Sequence, residues 1–298
     1  MTRAVVISNP KASRVKNARL QMALARLKAG GISVDVAQTT APGDGARLAR
    51  EALSGGADLL IAHGGDGTLM EVAPELLASG LPLGILPAGT GNRLADNLGI
   101  PWAPRDAADV ILAARPRAID LGRIVTAGKT GYFAVCGGCG FDAEVMHRTS
   151  PATKRTWGVA AYVATAVGLA MDLPRAQLRI EADGKVHECE AVTVLLANCG
   201  EILPTGVPFS PAICYDDGLM DIVVLDATNM AGAARIAWRL ATGRSNPDEC
   251  VTMLRAHDVR ITSEPAMPAQ ADGEPCGRTP LDATILDGAL SVLAPVAS

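Results

Sequence analysis

The chain has 298 residues, of which 49% are hydrophobic and 19% charged, and its formal net charge at pH 7 is −4. This composition excludes a disordered chain, and the length allows one large or two ordinary domains. The mild net charge argues against broad nucleic-acid binding and gives no general attraction to anionic membranes. The seven cysteines lack paired spacing, which indicates reduced thiols in a cytoplasmic protein.

The first part of the chain, up to Asp120, alternates predicted strands with predicted helices. The strands are Ala4–Ser8, Val34–Ala37, Leu59–His63 and Leu83–Leu86, and the helices are Asn17–Ala29 and Gly45–Leu53. Continuous apolar strands separated by helices are typical of a parallel sheet covered on both faces. Ligands of such sheets bind at the carboxyl ends of the strands.

After Asp120 short strand-like pieces are separated by Gly, Pro and Asp turns, which predicts a mainly antiparallel β domain with added helices. The pieces are Tyr132–Val135, Leu178–Glu181, Ala191–Ala197 and Leu219–Val224, and the helices are Gly158–Met171 and Ala231–Ala241. We therefore expect domains at 1–125 and 126–298, and leave open that the last residues return to the first domain. The apolar stretch Trp157–Met171 is shorter than the roughly 20 residues of a membrane-spanning helix, so we expect a buried or interfacial helix.

The strongest local motif is His63-Gly-Gly-Asp-Gly-Thr-Leu69, between a predicted buried strand and a predicted helix. Glycines let the backbone approach a ligand closely, and N–H groups at a helix N-terminus attract anions. Asp66 would be repelled by a polyphosphate unless a Mg²⁺ ion lies between them. A second glycine turn, Pro87-Ala-Gly-Thr-Gly-Asn92, follows the next strand. Together the turns predict one phosphate site, to which Gly89, Thr90 and Asn92 contribute.

These two turns resemble those of the diacylglycerol kinase catalytic-domain family, which includes sphingosine kinases and soluble bacterial lipid kinases. Further similar motifs lie along nearly the whole chain: Val5-Val-Ile-Ser-Asn-Pro10, Thr39 ahead of Gly43-Asp44, Asp216-Asp-Gly-Leu-Met-Asp221 and Asp272-Gly-Glu274. The resemblance implies a phosphofructokinase- or NAD-kinase-like α/β nucleotide domain and a β-rich second domain, an antiparallel sandwich with added helices. It places the active site between the two.

The resemblance also implies roles for individual residues. The ATP site would be lined by Asn9, Pro10, Lys11, Ala12, Ser13, Thr39, Gly64, Gly65, Asp66, Gly67, Thr68, Leu69, Met70 and Thr90. Asp217 would hold a structural Mg²⁺ together with the main-chain carbonyls of Cys214 and Leu219. Asp272 or Glu274 would accept the proton of the lipid hydroxyl, and the sequence does not distinguish between these two.

The residue types suit phosphoryl transfer, which needs alignment, charge neutralisation and a carboxylate that accepts the alcohol proton. We therefore expect an ATP- and Mg²⁺-dependent kinase of a lipid alcohol such as diacylglycerol. We expect it in the cytoplasm, peripheral at the inner membrane surface, without nucleic acid; a homodimer stays open. The alternatives are a kinase of a non-lipid alcohol, like NAD kinase or phosphofructokinase, and a nucleotide-binding regulator without catalysis.

Three positions depart from the family pattern. Met70 stands where the family has Asn, Arg93 where an Asp often follows the second turn, and the opening turn after Asn9 lacks a glycine. Pro74 should kink or end the helix after the first glycine turn. A cationic Arg93 could contact a phosphate, so these departures bear on nucleotide contacts and on substrate class.

Overall fold

The computed structural model describes residues 2–12, 14, 17–140, 175–202, 209–210, 212–226 and 251–296. The chain divides into two compact units, Met1–Ile119 with Gly288–Ser298, and Asp120–Asp287. The predicted boundary, after residue 125, lies a few residues later in the strand Pro116–Thr126, which also contains the observed division. The predicted helices Gly158–Met171 and Ala231–Ala241, and with them the apolar stretch from Trp157, lie outside the described residues.

The first unit alternates strands and helices as predicted. Its elements are β1 (Arg3–Ser8), α1 (Asn17–Ala29), β2 (Ser33–Gln38), α2 (Asp44–Ser54), β3 (Leu59–Gly64), α3 (Asp66–Leu76), β4 (Leu83–Pro87), α4 (Arg93–Asn97) and α5 (Pro104–Leu112). The strands are parallel in the order β2-β1-β3-β4. The end of the last strand, β16 (Leu281–Leu293), lies parallel to β4, with Val292 beside Leu83.

The packing of the first unit follows from its apolar patterns. Every residue of β3 and β4 is buried, as expected for central strands covered on both faces. Helix α1 buries residues at helical spacing, Leu20, Ala23, Leu24 and Leu27, and packs against α5. Helix α3 ends two residues after Pro74. Helix α5 was not predicted, although Pro104 at its first position is a recognisable start signal.

The second unit consists of strands in its described part. They are the later residues of β5 (Pro116–Thr126), then β6 (Thr130–Phe133), β7 (Cys136–Gly140), β8 (Ala176–Ala182), β9 (Lys185–Ala191), β10 (Thr193–Ala197), β11 (Met220–Leu225), β12 (Val251–Ala256), β13 (Asp258–Glu264), β14 (Pro268–Ala271), β15 (Glu274–Arg278) and the earlier residues of β16.

These strands pair antiparallel in two groups. One sheet has the order β12-β11-β10-β7-β14-β15, and in the other group β13 lies between β16 and β8, which also pairs with β9. Side chains from both groups share one core, including Leu178 and Ile180 of β8 and Leu196 of β10. Two sheets that bury facing side chains form a sandwich, so the predicted antiparallel fold of this unit is confirmed.

Two predicted strands differ from the structure. The piece Tyr132–Val135 ends at Phe133, and the next two residues form a bend. The piece Ala191–Ala197 is divided at Val192, whose N–H donates to the carbonyl of Leu225, so that two strands meet there. Apolar residues continue through both breaks, so the hydrophobic pattern of the sequence does not indicate where the strands end. Among the described residues, no helix has the length and apolarity needed to cross a bilayer.

Candidate active site

The two glycine turns of the first unit touch each other. They follow the neighbouring strands β3 and β4, and the N–H of Ala88 donates to the carbonyl of Gly64 at 2.7 Å. A Cβ atom added to Gly89 would lie 2.4 Å from the Cα of Gly65, closer than real Cβ atoms approach other atoms. The predicted meeting of the two turns is therefore confirmed, and it depends on glycine at position 89. Nucleotide binding at Gly89 and Thr90 stays a prediction.

The opening turn after β1 joins the same group. The N–H of Asn9 donates to the carbonyl of His63 at 3.0 Å, and its amide nitrogen donates to the Thr68 hydroxyl at 3.2 Å. Asn9 Oδ1 accepts the N–H of Lys11 at 2.9 Å, and the N–H of Ala12 donates to the carbonyl of Asn9. These bonds fix the shape of the opening turn. Ser13 lies outside the described residues.

Asp66 belongs to the first glycine turn, begins α3 and is half-buried. Its Oδ1 accepts the N–H of Leu94 at 3.3 Å, so the carboxylate faces the first residues of α4. Burial raises the pKa of Asp66, and hydrogen bonds from the backbone N–H groups of Arg93 and Leu94 oppose that rise. A carboxylate in this environment carries its charge at a cost, which a nearby cation would offset.

Asn92 uses its side chain within its own turn. Its Oδ1 accepts the N–H of Gly89 at 2.9 Å, and its amide nitrogen donates to the Gly89 carbonyl at 3.1 Å. Asn92 is buried and has a φ of 51°, a left-handed conformation that asparagine tolerates better than most residues. The side chain therefore holds the second turn in shape, and the predicted contact of its amide with a nucleotide stays a prediction.

Arg93, which departs from the family pattern, stabilises the second turn. Its guanidinium donates to the Gly91 carbonyl through Nε at 3.1 Å and Nη2 at 2.6 Å, and Nη2 pairs with the Asp96 carboxylate at 2.6 Å. Trp102 donates its indole N–H to the same carboxylate at 2.5 Å. The guanidinium is thus held by neighbouring groups, and the expectation that Arg93 contacts a phosphate gains no support from these bonds.

Glu71 is a residue that sequence reasoning missed. It lies on α3 and accepts the N–H groups of Gly43 at 2.9 Å and Gly45 at 2.7 Å, at the start of α2. This connects the first glycine motif to the loop that carries Thr39, which is buried and donates its N–H to the Ser8 carbonyl. Its partners are 26 and 28 residues away, so no local motif indicates this role.

His63 lies buried beneath the first glycine turn. Its Nδ1 is 2.8 Å from the Ser8 hydroxyl oxygen. Burial, and after it the positive charge of Arg19, lowers the pKa of His63 to about 4. The imidazole is therefore neutral at pH 7, and it adds no positive charge under the proposed phosphate site.

In the second unit, Asp272 and Gly273 form the two-residue turn between β14 and β15. Their φ values are 45° and 85°, and Ala271 pairs with Glu274 across the hairpin. Two positive φ values are typical of the type I′ turn, which Asp-Gly favours. The two candidate bases therefore lie at neighbouring positions on one hairpin.

The two carboxylates of this hairpin have different surroundings. Asp272 accepts three backbone N–H groups, from Ala134 at 2.7 Å, Val135 at 3.1 Å and Cys136 at 2.9 Å. Glu274 is exposed at the start of β15. Asp272 is therefore bound into the bend at Ala134–Val135, whereas the Glu274 side chain extends into solvent.

The predicted metal loop is held by protein donors. Asp217 Oδ1 accepts the N–H of Leu219 at 3.2 Å, and its Oδ2 accepts from Arg255, whose Nε lies 3.4 Å from Oδ1 of Asp221. Asp221 is 2% exposed, and its Oδ2 has no partner in the part of the chain that the structure describes. Burial raises the pKa of Asp221.

Oxygen donors of this kind fit Mg²⁺, and an unpartnered buried carboxylate oxygen close by adds to the fit. Arg255 already supplies positive charge to Asp217, so an ion would share that carboxylate with the guanidinium. Within the described ranges, no three or more His, Cys, Asp or Glu residues are grouped to hold a metal. Binding of Mg²⁺ by Asp217 and the carbonyls of Cys214 and Leu219 stays a prediction.

Comparisons with known proteins agree with this architecture. Residues 3–124 match the family model of the diacylglycerol kinase catalytic domain, and residues 136–294 match the YegS C-terminal NAD kinase beta sandwich-like domain. The Bacillus subtilis (strain 168) protein named diacylglycerol kinase is 30% identical over 284 residues, covering 94% of this chain and 92% of that protein.

A protein of Stenotrophomonas maltophilia (strain K279a), named as a YegS-like lipid kinase, is 31% identical over 266 residues, covering 87% of this chain and 86% of that protein. A crystal structure of a proposed diacylglycerol kinase from Bacillus anthracis str. Sterne has a TM-score of 0.83 at 26% identity, covering 99% of this chain and 95% of the other. The chain belongs to the diacylglycerol kinase catalytic-domain family, together with the YegS-like lipid kinases.

Proposed function

We propose that this protein is an ATP-dependent lipid kinase, which transfers the γ-phosphate of ATP to the hydroxyl of a lipid alcohol such as diacylglycerol. The observation that carries the proposal is the contact between the two glycine turns, in a chain whose relatives are named as lipid and diacylglycerol kinases. Glycine turns beside a helix N-terminus suit polyphosphate, because they let the phosphates approach the backbone closely.

ATP would lie against the first unit. The turn Gly64–Thr68 leads into α3, which begins at Asp66 and has 11 residues, and the N-terminus of this helix favours the negative charge of the phosphates. Asn9, which is already bonded to Thr68, would orient the opening turn over them. Mg²⁺ would neutralise charge that develops on the phosphate oxygens, and Asp66 would hold it directly or through water.

Glu274 is the base in this proposal, and Asp272 positions it. The Asp272 carboxylate already accepts three backbone N–H groups, so few of its lone pairs remain for the hydroxyl of a substrate. Glu274 follows two residues later and is exposed, so its oxygens are available to an alcohol. A carboxylate that accepts the alcohol proton raises the rate by about 10² to 10⁴.

Asp217, with the carbonyls of Cys214 and Leu219, would hold a structural Mg²⁺ apart from the reaction. We also propose that the enzyme acts peripherally at the inner membrane surface, where its lipid is located. Sedimentation with phosphatidylglycerol vesicles that contain diacylglycerol tests this second point. Protein that stays in the supernatant with these vesicles contradicts it.

The central experiment supplies labelled ATP and Mg²⁺ with diacylglycerol, sphingosine, ceramide or NAD. We expect label in a lipid. NAD is included because the second domain matches a family described as NAD kinase beta sandwich-like. Label in NAD alone favours the non-lipid kinase, and label in none of them favours a non-catalytic nucleotide-binding protein.

Two substitutions separate the roles of the two carboxylates. Glu274→Gln should reduce kcat by about 10² to 10⁴ and leave the melting temperature unchanged, because the side chain is exposed. Asp272→Asn should lower the free energy of unfolding by about 2 kcal/mol, because an acceptor of backbone N–H groups is lost. Glu181→Gln, an exposed glutamate of the same unit, is the control for the first variant. Full activity of Glu274→Gln contradicts the assignment.

A further inference from the structure

Asn198 follows β10 and is fully buried, where its side chain joins two separate stretches of backbone. Its amide nitrogen donates to the carbonyl of Asp120 at 3.0 Å and to the carbonyl of Ala134 at 2.9 Å. Carbonyl oxygens only accept, so these two partners determine which way the amide group faces. The other amide atom, Oδ1, has no partner among the described residues.

The backbone beside Asn198 binds the same stretch. The N–H groups of Asn198 and Cys199 both donate to the carbonyl of Val135, at 2.9 Å and 3.1 Å. The Cys199 thiol lies 3.2 Å from the Ala134 carbonyl. We call residues 134–136 the anchor segment. The carbonyls of its first two residues are both directed at Asn198 and Cys199.

The N–H groups of the anchor segment are directed at the hairpin that carries Glu274. All three of its N–H groups donate to the Asp272 carboxylate, and the Cys136 carbonyl accepts the N–H of Asp272 at 2.9 Å. The turn is tied down once more where Gly273 donates its N–H to Oε1 of the fully buried Gln270 at 2.8 Å. A continuous set of hydrogen bonds therefore runs from Asn198 through the anchor segment to Asp272.

We propose that Asn198 is a positioning residue for Glu274, which acts through the anchor segment and Asp272. This rests on the proposed function, in which Glu274 is the base. The first two residues of the anchor segment form a bend between β6 and β7 and belong to neither strand, so strand pairing does not fix their shape. Asn198 fixes the shape of this bend by donating to the carbonyls of Ala134 and Val135. The N–H groups of the anchor segment are then directed at the carboxylate of Asp272.

Core packing alone does not explain the choice of asparagine at this position. A fully buried amide whose oxygen finds no partner in the described part of the chain is less favourable than one whose polar atoms are all paired. What the amide contributes is a pair of donors at a defined separation, which bridge Asp120 and Ala134. That contribution is geometric, so its loss should appear in turnover more than in affinity for ATP.

The test uses Asn198→Asp, which keeps the shape but replaces the donors by an acceptor, and Asn198→Ser, which is smaller and neutral. The matched control is Thr193→Val, which removes a buried bond of 3.1 Å from the Thr193 hydroxyl to the Cys139 carbonyl in the same sheet. For each variant, kcat, the KM for ATP and the melting temperature are measured, together with amide hydrogen exchange across the anchor segment.

We expect both Asn198 variants to lose about 10- to 100-fold in kcat, since small misplacements of a catalytic group cost this much. The KM for ATP should stay within about twofold, and exchange of the Val135 and Cys136 amides should accelerate. Thr193→Val should keep the wild-type kcat even if its melting temperature falls as much as those of the Asn198 variants. If one Asn198 variant does not fold, kcat and the exchange of these amides in the other variant remain decisive.

Two results overturn the proposal and separate it from the proposed function. If Glu274→Gln loses kcat but the Asn198 variants keep the kcat of Thr193→Val, the positioning role of Asn198 is wrong, whereas the assignment of Glu274 as the base is unaffected. If Glu274→Gln is fully active, the base assignment fails, and the role of Asn198 fails with it. An equal rise in the KM for ATP and fall in kcat in the Asn198 variants also contradicts the proposal, because it indicates a general structural effect.

Discussion

The glycine turns of the first unit and the Asp272–Glu274 hairpin of the second obtain a defined geometry by different means. In the first unit, backbone packs on backbone at Gly65 and Gly89, and the side chains of Asn92 and Arg93 bond back onto their own turn. In the hairpin, one side chain holds the bend while its neighbour two residues later stays exposed.

The difference indicates which kind of substitution each region tolerates. Where the backbone itself is the proposed binding surface, an added atom changes that surface directly. Where a side chain positions another, the size of the residue matters less than its hydrogen-bonding groups. The first region should therefore be sensitive to volume and the second to the loss of donors and acceptors.

The largest loss of stability is expected for Gly89→Ala. The new Cβ would meet the Gly65 backbone at 2.4 Å, so the two turns must separate. We expect a loss of about 100-fold in kcat/KM for ATP and about 3 kcal/mol in the free energy of unfolding. Kinetics at varied ATP and urea denaturation measure the two.

Gly128→Ala is the matched control, because a methyl group added at Gly128 would meet no other described atom within 4 Å. Gly128 lies in the turn between β5 and β6 of the second unit. The stability and the kcat/KM of this variant should stay close to wild type. If Gly89→Ala behaves in the same way, the close approach of the two turns is not needed for nucleotide binding.

A smaller effect is expected from the buried histidine under the glycine turns. The folded pKa of His63 is lowered to about 4, so only the unfolded chain gains a proton as pH falls below about 6.5. Stability should therefore fall on acidification, by about 2 kcal/mol between pH 7 and pH 5. The comparison is with His63→Gln, in which this part of the pH dependence should be absent. Urea denaturation at pH 7 and pH 5 measures the free energy of unfolding of both proteins. If this free energy changes with pH equally in wild type and in His63→Gln, the prediction is wrong.

The smallest change in stability is expected for Asp66→Asn. Burial raises the pKa of Asp66, so the charged form is less favourable in the folded protein than in water, and a neutral amide should leave stability unchanged or slightly higher. Turnover should nevertheless fall about 100-fold, because the amide no longer offsets the metal charge. A large loss of stability with retained turnover would indicate that Asp66 serves only to hold α4.

Much of the first unit could be predicted from local patterns. Apolar runs at β1, β3 and β4 identified central parallel strands, and the glycines after Leu59–Gly64 and Leu83–Pro87 identified the turns that meet. Asp-Gly at 272–273 is likewise a local turn signal. In each case the residues that determine the feature are within a few positions of one another.

The rest depends on residues that are far apart in sequence. Asp272 finds its N–H donor Ala134 across 138 residues, and Asn198 reaches Ala134 across 64. The bend at Ala134–Val135 was predicted as strand because both residues are apolar; its shape comes from these distant partners. For the same reason the sequence did not separate the roles of Asp272 and Glu274.

The last strand has a practical consequence for dissecting the protein. Strand β16 pairs with β13 in the second unit, and its final residues lie beside β4 in the first. A fragment cut at residue 124, where the kinase family match ends, would leave the backbone of β4 without that neighbour and expose an unpaired edge. An excised first unit therefore needs residues 288–296 fused back to it, because an unpaired strand edge promotes aggregation.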